Sequence, residues 1–159
     1  MFNHILSLLG GGATSVPFKP DQLQIAVAAL LVHAATMDDT FDTAERSAIE
    51  RLLAERFTLG PDAVKALLAQ AERRAEDSIQ LYPFTRVAIE RLDAAERVRL
   101  IEMLWEVAYA DGVLDPDEDA LVRRVAGLLY VSDHDRGAAR KRVLQRIRIS
   151  KENSAKEGN

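Results

Sequence analysis

Two acidic turns, 73 residues apart, constrain this chain more than any other feature. The second runs Ala110-Asp111-Gly112-Val113-Leu114-Asp115-Pro116-Asp117-Glu118. The first, Asp38-Asp39-Thr40-Phe41-Asp42-Thr43-Ala44-Glu45, repeats its spacing of Asp, three residues, Asp, two residues, Glu. The offset persists in the flanks, where Leu31, Ala35 and Arg51 fall on Leu104, Ala108 and Arg124. A repeat of this kind means one supersecondary unit used twice, with the two copies burying their apolar faces together.

The flanking stretches have helical periodicity. Asp21 is placed to cap a helix over about 21–36, with Leu23, Ala26, Val27, Leu30, Leu31 and Ala34 at helical spacing. Ile25, Ala28, Ala29 and Val32 leave its other faces apolar as well, which predicts a central, buried helix. Asp42 opens a helix to about 57, and Gly60-Pro61 breaks the chain and starts another to about 80. A short helix follows Tyr82-Pro83. Asp93 with Glu96 then opens the second buried helix, about 94–110, along Val98, Ile101, Leu104, Trp105 and Ala108. Asp115-Pro116 starts a helix to about 130, and Ser132 or Asp133 a last one to about 148. No segment alternates with period two. The predicted fold is all-α, a helical bundle of two related helix–turn–helix halves around two buried central helices. Residues 1–20 form a short amphipathic N-terminal segment and a glycine-rich linker, 21–149 the helical domain, and 150–159 a disordered tail.

The chain has 159 residues and no cysteine, so a single core of ordinary size is available and thiolate chemistry is not. No apolar run reaches the ~20 residues needed to span a bilayer, and the N-terminus lacks a signal-peptide layout. A cytoplasmic chain is expected. The net charge of −4 is mild, but its distribution is not: between Asp133 and Lys151 there are seven Lys or Arg against two Asp.

The second turn matches the latter half of a calcium loop of the EF-hand type. Gly112, Val113 and Glu118 fall at positions 6, 7 and 12, and Asp111 and Asp115 at positions 5 and 9. Positions 1 and 3 would be Val107 and Tyr109, which supply no carboxylate, so neither turn is a true EF-hand. Asp111, Asp115, Glu118 and the Val113 carbonyl still offer oxygens to a hard cation such as calcium or magnesium. A structural reading stands beside this one. Asp115 with Glu118, and Asp42 with Glu45, are what capping boxes require. Capping has no use for Asp111 or Asp38, and those two tilt the balance toward a site.

His4, His33 and His134 have no zinc spacing, and neither a phosphate loop nor a nucleophile with its base can be named. No enzyme and no organic cofactor are expected. The basic last helix, through Arg136, Arg140, Arg142 and Arg146, is either a solvated face or a seat for an anionic partner. A membrane surface is one such partner, reached through this helix or the N-terminal segment; nucleic acid is not expected.

Four stretches carry a resemblance. Leu81-Tyr82-Pro83-Phe84-Thr85-Arg86, Glu96-Arg97, Leu104 through Asp115, and Arg123-Arg124-Val125-Ala126-Gly127-Leu128-Leu129 resemble the TerB-like tellurite-resistance proteins over about residues 21–145. The resemblance implies a two-halved helical bundle with a metal-binding acidic set, here Asp38, Asp42, Glu45, Asp111, Asp115 and Glu118. It further implies a role in tellurite resistance and stress response, in complexes with other stress-response proteins near the inner membrane. The first turn departs from the pattern, with Asp39 where the second has Gly112.

Overall fold

A computed structural model describes residues 18–36, 41–112 and 114–158. Among them are seven helices and no strand: α1 (Gln22–Ala35), α2 (Thr43–Phe57), α3 (Pro61–Asp77), α4 (Tyr82–Arg91), α5 (Ala94–Ala108), α6 (Pro116–Leu128) and α7 (Asp133–Glu157). The 73-residue offset carries Ala35, the last residue of α1, onto Ala108, the last of α5. It carries Thr43, the first of α2, onto Pro116, the first of α6.

Helix α1 is the centre of the molecule. Ten of its residues, from Ile25 to Ala35, are buried, because α2, α3, α4, α5 and α6 all pack against it. Its alanines let those neighbours approach closely, and Leu30 and Leu31 fill the space between them with no exposed surface. Helix α5 is the second buried helix, contributing Leu100, Ile101, Met103, Leu104, Trp105, Val107 and Ala108. The contacts are reciprocal: α1 packs on α2 and α6, and α5 packs on α6 and α2.

The helix starts follow the sequence closely. Asp21 and Asp93 make full capping boxes with Gln24 and Glu96, and Ser132 caps α7 by accepting from the Asp135 N–H. The last helix differs from expectation. Residues 150–157 belong to α7 and are exposed to solvent, where a disordered tail was predicted. That stretch has no proline or glycine before Gly158, and Glu152 precedes Lys156 by one helical turn, a pairing that favours helix without any packing. The segment over residues 1–9, the glycine linker, Asp38, Asp39 and the Val113 carbonyl lie outside the described residues. No helix among the described residues is long and apolar enough to cross a membrane.

Candidate functional site

Both acidic turns end in an aspartate that caps the next helix. Asp42 Oδ1 accepts from the Glu45 backbone N–H at 2.7 Å, and Asp115 Oδ1 from the Asp117 N–H at 2.8 Å. At α1 and α5 the third residue returns a bond to the cap, from Asp21 N–H to Gln24 Oε1 at 3.1 Å and from Asp93 N–H to Glu96 Oε1 at 3.2 Å. At α2 the Asp42 backbone likewise bonds to the Glu45 carboxylate.

Both glutamates turn inward. Glu45 and Glu118 are each 3% exposed, and with Thr85 they are the buried polar residues among those described. They also sense one another. Burial first, then the charge of Asp42 and its side-chain hydrogen bond, then the charge of Glu118 push the Glu45 carboxyl up to about 8, against a smaller opposing bond from the Asp42 backbone. The fold has therefore brought the two turns within electrostatic reach.

The remaining acidic groups are less enclosed. Asp111 lies exposed beside Gly112, whose φ of +86° is the left-handed backbone that glycine adopts most readily. Asp115 and Asp42 are half-buried. Asp38 lies outside the described residues. Among the described residues, no group of three or more His, Cys, Asp or Glu side chains stands close enough to hold a metal ion. The two turns thus contribute two buried glutamates within electrostatic reach, with Asp42 beside Glu45.

The four arginines proposed for an anionic partner all sit on α7, and each has a partner within the chain. Arg136 pairs with Asp133 at 2.7 Å, and Arg140 Nε donates to the Tyr109 hydroxyl at 2.7 Å. Arg142 reaches Glu102 at 3.1 Å, and Arg146 reaches Glu106 at 2.7 Å and Glu102 at 3.5 Å. Glu102 and Glu106 are acidic partners of these arginines that the reading of the sequence missed. Their spacing of four residues on α5, which puts both on one face, was the available signal. The Trp105 indole N–H is held by the Arg136 carbonyl at 3.3 Å, so Trp105 belongs to the core and is no stacking platform.

His33 is half-buried against the Phe84 ring, with centroids 5.8 Å apart. Its Nε2 is buried with no hydrogen-bond partner among the described residues. Burial holds its pKa below the ordinary value, and a bond with the Ser78 backbone pulls the other way.

The sequence model of the family described as "Tellurite resistance protein TerB" matches residues 24–141. The chain belongs to the TerB family. The match begins inside α1 and ends inside α7, so both acidic turns of this TerB domain fall within it. No curated protein and no solved structure was found to match the chain.

Proposed function

We propose that this TerB domain is a non-enzymatic divalent-cation-binding domain that serves as a scaffold in a tellurite-resistance and stress-response system. The observation that supports this most is the pair Glu45 and Glu118. Each is buried at the same step of its repeat, and the charge of Glu118 reaches Glu45. Like charges confined together out of water repel, and a divalent cation is the counter-charge that relieves them. Calcium or magnesium suits the donors, which are Asp42, Glu45 and Glu118, with Asp115, Asp111 and Asp38 supplying further carboxylates from the same two turns. Calcium takes about six to eight oxygens, so water completes the sphere and the affinity falls in the micromolar-to-millimolar range. The setting we assign is cytoplasmic, at the inner face of the membrane, among other stress-response proteins.

The cation competes with the proton that Glu45 holds, so affinity should rise with pH up to about 8. Calorimetric titration with calcium and with magnesium, at several pH values, tests the reading. Glu118→Gln should abolish most of the binding, and Asp111→Asn should weaken it while leaving the helix caps in place. Heat-silent titrations at millimolar ion, or a Glu118→Gln chain that binds like the parent, would leave the acidic turns with a structural role only.

A further inference from the structure

A groove of about 730 Å³ lies between the start of α2, the C-terminal end of α5 and the second half of α7. That is the size of a small-molecule site. Its hydrogen-bonding groups are unbalanced. The one carboxylate in its lining, Glu106, has both oxygens engaged, Oε2 by Arg51 at 3.1 Å and Oε1 by Arg146 at 2.7 Å. The donors are not used up. Tyr109 accepts from Arg140, which leaves its own hydroxyl proton to give. Arg146 reaches Glu102 and Glu106 through its two terminal nitrogens and keeps its Nε–H. Ser47, Ser150 and Lys151 line the same groove, and among the described residues their side chains make no hydrogen bond or ion pair. Of the three cationic side chains in the lining, Arg51 and Arg146 are paired with Glu106, Glu55 and Glu102, and Lys151 is left as the surplus positive charge.

Acceptors engaged, donors available and surplus positive charge together are complementary to an anion. The groove is not only polar. Ala48, Val143 and Ile147 give it an apolar wall beside these donors. We propose that the groove binds a soluble organic oxyanion, with a phosphate or carboxylate head at Arg146, Lys151, Ser47 and Ser150, and an apolar body against Ala48 and Ile147. The proposal goes beyond the cation reading and uses none of its acidic ligands. The arginine pair on Glu106 serves a positioning role: it holds two guanidinium groups in the groove before any ligand arrives, so less side-chain freedom is lost on binding.

Amide NMR of the full chain tests this, on protein freed of divalent cations by chelation and then dialysed free of chelator, so that the outcome is independent of any cation. Phenyl phosphate, benzoate and inorganic phosphate are the probes. Phenyl phosphate or benzoate should shift the amides of Ser47, Ala48, Ala110 and Ser150, and should bind more tightly than inorganic phosphate, which has no apolar body. The phosphate and carboxylate probes distinguish the two head groups. Lys151→Gln and Ser47→Ala disturb no contact of the fold, and each should weaken binding about two- to fivefold, the range set by exposed polar and charged contacts. Added salt should weaken it further. Absence of groove shifts with all three probes, shifts confined to residues elsewhere, or variants that bind as the parent does would overturn the proposal. Inorganic phosphate binding as tightly as phenyl phosphate would remove the apolar body from it.

Discussion

A glutamate buried beside two other carboxylates is a liability for an ion-free chain, and Glu45 makes that liability measurable. Its folded pKa is about 8, against an ordinary value of 4.5. Between those values the folded chain keeps a proton that the unfolded chain has released, so stability falls as pH rises through that window. Glu45→Gln removes the titration. Urea unfolding across this range should show the parent losing stability relative to the variant as pH approaches 8, with the two converging near pH 5 (about the unfolded pKa). His33 works in the opposite sense. Its folded pKa lies below the ordinary 6.5, so below that value the unfolded chain takes up a proton that the folded chain resists. Stability from this source is present above about pH 6.5 and is lost as pH falls through the folded pKa. His33→Leu should flatten that acid limb in the same unfolding series. Neither effect was legible beforehand. Glu45 looked like the second half of a capping box, and His33 like an interior or edge histidine. Burial by the packed helices is the largest cause for both, with the charges of Asp42 and then Glu118 adding to it for Glu45 and the Ser78 backbone opposing it for His33.

Helix starts proved easier to read than helix ends. Asp21, Asp42, Asp93, Asp115 and Ser132 announce their helices because a short side-chain acceptor just before an apolar period satisfies backbone N–H groups that nothing else can reach. The ends carry weaker signals here. Helix α2 closes on Thr58 at φ +52° and α6 closes just before Tyr130 at φ +57°, left-handed positions where glycine is the usual occupant. The chain reverses through Leu59 N–H to Ala54 C=O at 3.1 Å and Val131 N–H to Ala126 C=O at 2.9 Å. Tyr130 is 81% exposed, so its ring adds little packing to offset the backbone cost. Tyr130→Gly should therefore stabilise the chain by about 1 kcal/mol, read as a higher urea midpoint at unchanged slope. The far end of α7 was missed for a related reason. A helix with no buried face carries no apolar period, and beyond Val143 no residue of α7 is fully buried.

The whole molecule stands on α1, which touches five of the other six described helices. Leu30 sits among them with no exposed surface. Leu30→Ala should cost about 2–5 kcal/mol, toward the upper part of that range because a site enclosed on all sides cannot collapse around the cavity. Chemical denaturation of the variant checks the figure. The sequence by itself determined the helices, their caps, the repeat and the centrality of α1, since each rests on residues within a few turns of one another: periodicity, side-chain acceptors and an all-apolar surface that must be covered. It also carried the resemblance on which membership of the TerB family was expected. Only the tertiary structure decided that Glu45 and Glu118 are buried within electrostatic reach of each other, and that Arg142 and Arg146 are tied to Glu102 and Glu106. Those are contacts between residues some 40 or more positions apart, and their geometry comes from how one half of the chain packs on the other.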